Sequence, residues 1–196
     1  MSTLALKLHE PCDRLGLKGP RAAEWLAAHG IVLPMAPNSC THAEQALTAD
    51  ALLVARLGQL EFYLEDAAAG TTLKRIAPSL NAHPPGVYPV LREDWAFQLG
   101  GEGADDVLAQ VCNVNFAALS LASHPVIMTL MIGVAVLIVP QSVASAPGAP
   151  SGADASNGAV ERQYRIWCDP TFGPYLGESL GAVVIECGGR YTGVSG

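Results

Sequence analysis

The chain has 196 residues, of which 50% are hydrophobic and 15% charged, and its 11 basic and 18 acidic residues give a formal charge of −7. This length is enough to bury a sizeable core. Lys and Arg are scattered rather than gathered in a basic stripe, which argues against a nucleic-acid partner. Residues 1–7 lack the basic region and apolar run of a secretory signal, so we expect a soluble cytoplasmic protein.

The charged fraction is low against an average of about 25%. A surface with so few charges either exposes apolar patches or is covered by a partner chain. An alanine-rich composition that inflates the hydrophobic count is a second explanation, and the two are compatible.

The longest apolar run covers residues 126–139, between Pro125 and Pro140. It is shorter than the roughly 20 residues that a membrane helix needs. It is also rich in β-branched residues, which favour strands. The run therefore predicts one long or kinked buried strand with a bend at Gly133, and no membrane association.

The cysteines indicate neither disulfides nor a zinc site. They are odd in number and contain no C-x-x-C pair: Cys12, Cys40, Cys112, Cys168 and Cys187. Zinc sites normally show closely spaced ligand pairs. We expect buried, reduced thiols and no metal ligands.

The first predicted helix covers residues 21–28, with Pro20 at its start and Gly30 after its end. Residues 31–50 read as a loop, and strands follow at residues 52–57, 60–65, 87–91 and 95–99. In the second of these strands the apolar Leu60, Phe62 and Leu64 alternate with Glu61, Tyr63 and Glu65. This alternation is typical of a sheet with one buried and one solvated face.

Residues 17–27 align with residues 99–109 at a constant offset, and Leu, Gly, Ala, Leu and Ala match. Both segments read as strand, glycine turn and helix, in which the glycine lets the chain turn sharply off the sheet. We therefore expect an α+β fold of duplicated strand–turn–helix units packed on a mainly antiparallel sheet, as a single domain over residues 1–196.

Residues 142–159 form a low-complexity stretch of small residues, which predicts a flexible loop. A return strand is expected at residues 164–168. Asp169 is placed to cap a following helix, which ends at Gly188. The inward stripe of that helix is predicted to be Phe172, Tyr175, Leu176, Ser179, Leu180 and Val183. The tail from Arg190 is expected to be loose.

The sequence shows no recognisable catalytic motif. It has neither a G-x-G-x-x-G nor a G-x-S-x-G motif, and its histidines lie far apart in sequence. A triad assembled in space from distant residues remains open. We assign no catalytic, cofactor-binding or metal-binding residue.

Several segments nevertheless resemble one family. They are RLGLKGPRAAEWL (residues 14–26), PN (37–38), ARLG (55–58) leading into EF (61–62), PVLRED (89–94), QVCNV (110–114), the strand run with Thr129 and Gly133, and DPTFGPYL (169–176). These segments look like the gamma subunit of heterotetrameric sarcosine oxidase, and the resemblance covers nearly the whole chain. Residues 142–159 look like an insertion relative to that pattern.

The resemblance implies a fold similar to the folate-binding part of aminomethyltransferases. It implies a complex that oxidatively demethylates an N-methyl amino acid and feeds one-carbon units to tetrahydrofolate. FAD, FMN, NAD and the tetrahydrofolate site would lie on the alpha, beta and delta subunits, and this chain would carry no cofactor. Its role would be structural, as a packing partner of the large subunit.

Two alternatives stay open. The chain is also similar to the small subunit of N-methylglutamate dehydrogenase, and the same fold could serve a free folate-binding or one-carbon transfer protein. Aromatic and arginine side chains carry most of the energy of interfaces. By residue type alone, the candidates are Arg56, Arg92, Trp95, Trp167 and Tyr175.

Overall fold

The computed structural model describes residues 3–41, 52–142 and 162–193. Within these residues the chain forms two mostly antiparallel sheets and four α-helices. The predicted α+β class is confirmed. The loop expected at residues 142–159 lies, apart from Ser142, outside the described residues.

A large sheet of six strands is formed by the described residues. Its spatial order is β11 (Arg190–Thr192), β1 (Ala5–Leu8), β7 (Trp95–Gly100), β10 (Arg162–Cys168), β9 (Val134–Ser142) and β8 (Ile127–Met131). The pairing of β1 with β11 is parallel, and the other pairings described for this sheet are antiparallel. Helices α3 (Ala104–Val111) and α4 (Gly173–Glu186) pack on one of its faces.

A small sheet of five strands accounts for the other strands described. Its spatial order is β3 (Ser39–Cys40), β4 (Leu52–Arg56), β5 (Glu61–Asp66), β2 (Arg14–Lys18) and β6 (Tyr88–Val90). Helices α1 (Ala22–Ala28) and α2 (Thr72–Ile76) cover one of its faces.

The two sheets exchange strands. Strand β1 comes just before β2 in the chain but pairs with β7, whereas β6 comes just before β7 but pairs with β2. Each sheet therefore contains a strand that leads into the other sheet.

The two sheets also pack face to face, so the layers run helix, sheet, sheet, helix. The apolar cluster between the sheets draws on both of them and includes Leu53, Ala55, Tyr63, Ala96, Val139 and Trp167. Burying both faces of each sheet explains why so many strand residues are inaccessible to water.

The two segments that align in the sequence have the same local structure. Gly19 and Gly101 follow β2 and β7 with φ angles of +125° and +98°. The N–H groups of Ala22 and Ala104 donate to their carbonyl oxygens at 3.1 and 3.2 Å. A Cβ atom on either glycine would lie 2.3 or 2.4 Å from a backbone oxygen of a neighbouring segment. Only glycine fits these turns.

Reciprocal hydrogen bonds join β3 to the residues that precede β8. The N–H of Cys40 donates to the carbonyl of His124 at 2.9 Å, and the N–H of Val126 donates to the carbonyl of Asn38 at 2.8 Å. Asn38 and His124 both have positive φ angles, of 55° and 46°. Ser39 and Pro125 therefore form an antiparallel bridge between β3 and the segment that leads into β8.

The prediction that β5 has one solvated face is wrong. Tyr63 and Glu65 are 0% and 1% exposed, although they alternate with the buried Phe62 and Leu64. The face that carries them is covered by the large sheet, which a strand pattern cannot reveal.

The single strand predicted at residues 126–139 is also wrong. Strands β8 and β9 form a hairpin whose two-residue turn is Ile132 and Gly133, with φ angles of 50° and 81°. Positive φ at both positions is the geometry of a type I′ turn. The tail expected to be loose from Arg190 instead begins β11, which pairs with β1.

Candidate functional site

A buried carboxylate, that of Glu65, lies between the two sheets. Strand pairing sets Arg14 of β2 directly opposite Glu65 of β5. Tyr63, two residues before Glu65, points to the same side because side chains alternate along a strand. On the facing strand β10, Arg165 and Trp167 have the same spacing.

The carboxylate of Glu65 has partners from three strands. Its Oε2 atom accepts hydrogen bonds from Arg14 Nε at 2.6 Å, Trp167 Nε1 at 2.7 Å and Tyr63 OH at 3.1 Å. Its Oε1 atom lies 3.0 Å from Arg165 Nη1 as an ion pair but makes no hydrogen bond. Both guanidinium side chains are largely buried.

These partners decide the charge of Glu65. Burial is the largest effect and opposes ionisation, but the Arg165 and Arg14 guanidiniums and the hydrogen bonds outweigh it, so the pKa of Glu65 lies below its ordinary value. Glu65 is therefore a carboxylate at neutral pH. A group in this state is a weak base and has no proton to give.

Cys12 and His9 lie at the edge of the same cluster. Arg14 Nη2 is 3.7 Å from the Cys12 sulfur. Burial, followed by the charge of Glu65, raises the pKa of Cys12 to about 11. Burial, followed by the charge of Arg165, lowers the pKa of His9. The thiolate is the nucleophilic form of cysteine, so at neutral pH the Cys12 thiol is held in its less reactive, protonated form.

Arg92 and Asp94 extend the cluster on the small-sheet side. The Arg92 guanidinium lies 5.5 Å from the Tyr63 ring centre and 3.9 Å from an Asp94 oxygen. Arg14 Nη1 donates to the Asp94 carbonyl at 2.5 Å. Burial raises the pKa of the Asp94 carboxyl, although Arg92 counteracts it. Arg92 Nε and Asp94 Oδ2 are buried without a hydrogen-bond partner, so the polar groups on this side of the cluster are only partly satisfied.

The structure places the five residues proposed as interface anchors in different settings. Trp167 is 1% exposed and lies between the two sheets, where its indole N–H donates a hydrogen bond to Glu65. Arg92 belongs to the same cluster. Arg56 binds nearby carbonyl oxygens, including that of Met35 at 2.9 Å.

The other two anchors lie beside α4. The ring of Trp95 is partly buried and packs where a Cβ on Gly173 would stand. Tyr175 is 52% exposed, and its hydroxyl donates to the Ile132 carbonyl at 3.4 Å. Phe172, also assigned to the inward stripe of this helix, is 51% exposed, whereas Leu176 and Leu180 of that stripe are buried as predicted and Val184 is buried in place of Val183.

Our reading of the sequence missed the carboxylate and its immediate partners. A signal was present, because Tyr63-x-Glu65 and Arg165-x-Trp167 each place an aromatic and a charged residue on one face of a strand. Nothing in the sequence indicated that these two faces oppose each other.

Among residues 3–41, 52–142 and 162–193, no group of three or more His, Cys, Asp or Glu side chains could hold a metal ion. No helix in the described part of the chain is long and apolar enough to cross a membrane.

No protein-family model and no curated protein matches the chain. Chains of solved structures do match it, among them the following two. One chain of the heterotetrameric sarcosine oxidase from Corynebacterium sp. U-96, in complex with pyrrole 2-carboxylate, superimposes with a TM-score of 0.62 at 21% identity, covering 92% of this chain and 83% of that one. The glycine cleavage system aminomethyltransferase T from Bartonella henselae gives a TM-score of 0.58 at 18% identity, covering 98% of this chain and 48% of that one.

This chain shares the fold of the matched part of each protein. It spans about half the length of the aminomethyltransferase and most of the matched oxidase chain. The expected likeness to the aminomethyltransferase fold is confirmed. At these identities the likeness concerns the fold alone.

Proposed function

We propose that this chain is a non-catalytic subunit of a heterotetrameric, flavin-dependent oxidase that acts on an N-methyl amino acid such as sarcosine. The observation that carries the proposal is the extent of the match to one chain of heterotetrameric sarcosine oxidase, which covers 92% of this chain and 83% of that one. The match to the aminomethyltransferase leaves about half of that enzyme without a counterpart.

The chemistry of the Glu65 cluster supports a structural role. Glu65 is held by Arg14, Arg165 and Trp167 from both sheets, and the pKa of Cys12 is raised to about 11. Buried polar networks whose members are paired make the packing of the contributing elements more rigid and more specific. A catalytic centre would need a nucleophile or a base whose pKa is near the working pH.

In this proposal the chain packs against larger alpha, beta and delta subunits. Those subunits carry FAD, FMN, NAD and the tetrahydrofolate site, and this chain carries no cofactor. We also propose that its two halves are copies of one strand–turn–helix unit. The matched glycine turns at Gly19 and Gly101 support this duplication.

A purification from native cells tests the proposal. Tagged chain is isolated, its partners are identified by mass spectrometry, and the absorbance spectrum of the pool is recorded. We expect larger flavin-bearing chains in fixed ratio to the tagged chain, and oxidation of sarcosine by the pool. Oxidation of N-methylglutamate in place of sarcosine would assign the complex to the related dehydrogenase.

A second candidate is a free folate-binding or one-carbon transfer protein. The alignment of 98% of the chain to the aminomethyltransferase favours it. Recovery of a lone, colourless chain that binds tetrahydrofolate in a titration would replace the subunit proposal with this one. A lone chain with stoichiometric flavin would contradict both.

A further inference from the structure

One face of the β8–β9 hairpin carries an apolar patch. In this antiparallel pair Met128 lies opposite Leu137, and Leu130 lies opposite Ala135. The four side chains share one face of the sheet, since alternate residues point to the same side. We call these four residues the hairpin patch. Met128 is 54% exposed and Leu130 is 61% exposed.

The hairpin patch continues the buried layer between the two sheets. Val139 and Trp167 lie on the same face of the large sheet and are covered by the small sheet. Leu137 is partly buried and packs against that cluster, so it lies at the boundary between the buried part of the face and the exposed part. The patch is therefore the part of an apolar sheet face that the small sheet leaves uncovered.

The sequence around the patch has no charge. No Asp, Glu, Lys or Arg occurs between Asp106 and Asp154, although 15% of the chain is charged. An antiparallel strand that faces water normally carries polar residues on that face. Interface cores, by contrast, are apolar and depleted of charged residues.

The absence of charged residues around the hairpin patch also indicates which kind of molecule would bind there. Nucleic acids and anionic lipid headgroups are bound by Lys and Arg side chains, which this stretch lacks. Methionine, which adapts to irregular surfaces, is frequent at protein-binding sites. The complementary surface is thus an apolar surface of protein.

We propose that the hairpin patch is a docking site for an apolar segment of a different chain, a flavin-bearing subunit of the complex. That segment lies against β8 and β9 and extends the layer formed by the small sheet. The inference rests on the proposed function, because that function supplies the second chain.

Matched lysine substitutions test the inference in tagged full-length chain purified from native cells. Met128→Lys and Leu130→Lys place a charge in the patch. Met35→Lys and Leu91→Lys are the controls, because Met35 is 95% exposed and Leu91 is 81% exposed outside the hairpin. The measurement is the amount of flavin-bearing subunit recovered per tagged chain, with thermal unfolding of each variant as the check on folding.

We expect the patch variants to recover at least about tenfold less flavin-bearing subunit, as for truncation of a central interface residue. The controls should stay within about twofold of the parent. Undiminished recovery with the patch variants would overturn the docking site and leave the proposed function standing. Absence of a flavin-bearing subunit from the parent preparation would overturn the proposed function, and the docking inference with it.

A photo-cross-linking residue at position 128 gives a second readout that adds no charge. We expect a covalent adduct with the flavin-bearing subunit, and none from the same residue at position 35. An adduct between two copies of this chain, together with a dimer in light scattering that Met128→Lys splits, would overturn the assigned occupant. An assembled complex with no adduct at position 128 would overturn the docking site.

Discussion

The indole Nε1 of Trp167 donates a 2.7 Å hydrogen bond to Oε2 of Glu65, although the two residues are far apart in sequence and belong to different sheets. Both side chains are excluded from water. The ring of Trp167 also meets the Tyr63 ring edge-on, with centres 5.5 Å apart. A polar contact between two sheets in an apolar layer fixes their relative position in a way that apolar packing alone does not.

Replacing Trp167 with phenylalanine should destabilise the chain. The variant keeps a ring in the layer but removes one donor from a buried, ionised carboxylate. A hydrogen bond to a charged group contributes about 1.5–3 kcal/mol, so the free energy of unfolding should fall by about that amount. Urea unfolding of the purified chain measures it.

Trp25→Phe is the matched control for that experiment. Trp25 is partly buried beside the small-sheet core and stacks on His29 with ring centres 4.1 Å apart. The control variant should lose less stability than Trp167→Phe. Equal losses would mean that ring volume, rather than the bond to Glu65, explains the effect.

Glu65→Gln should be more damaging than the loss of one donor. The amide keeps the shape of the side chain but leaves the buried Arg14 and Arg165 guanidiniums without a counter-charge. Breaking a buried ion pair by removing one partner costs about 3–5 kcal/mol. Chemical unfolding at pH 7 gives the difference from the parent chain.

The difference in free energy of unfolding between the parent chain and Glu65→Gln should depend on pH. The pKa of Glu65 is lowered in the folded chain from its ordinary value of 4.5, because both arginines outweigh burial. A lowered pKa stabilises the fold above the unfolded pKa, and this stability is lost as the pH falls through the folded pKa. The difference in free energy of unfolding between the parent and Glu65→Gln should be constant above about pH 4.5 and should become smaller below that pH.

Glu24→Gln is the control for both experiments. Glu24 forms an exposed ion pair with Arg21 at 2.9 Å on the surface of α1. Exposed ion pairs contribute little to stability, so this variant should unfold like the parent at each pH. A pH-independent gap for Glu65→Gln would contradict the assigned charge of Glu65.

Gly101→Ala should destabilise the chain more than Gly30→Ala. Gly30 has a φ of +78° and open space around its missing Cβ, so alanine adds only strain, about 1–2 kcal/mol. Gly101 has a φ of +98°, and its Cβ would lie 2.4 Å from the Thr3 carbonyl oxygen. Crowding adds about 1–3 kcal/mol. Thermal unfolding ranks the two variants, and an equal shift would contradict the close approach of residue 3.

Alkylation should distinguish the cysteines. Cys187 is exposed, with its sulfur 3.3 Å from Gln110 Nε2. Burial raises the pKa of Cys12 to about 11 and that of Cys40 to about 12. Iodoacetamide at pH 8 should therefore label Cys187 first in the native chain, and all cysteines after denaturation. Peptide mass spectrometry reads the order, and early labelling of Cys12 would show that its thiol is more acidic than the cluster predicts.

The sequence predicted the local elements well where a single residue fixes the backbone. Gly30 marked the end of α1, and Asp169 caps the next helical turn through its bond to the N–H of Thr171 at 2.8 Å. It failed at residues 126–139, where the turn is built on Ile132 rather than the asparagine usual in such a hairpin. Here tertiary contacts hold a conformation that the local sequence does not favour.

The residues themselves determined the α+β class, the glycine turns at Gly19 and Gly101, and the low fraction of charged residues. These features depend on backbone freedom and composition, which act within a few residues. Only the tertiary structure decided that Glu65 is buried between Arg14, Arg165 and Trp167. Alternation along β5 tells which residues share a face, but what covers that face depends on strands contributed by distant parts of the chain.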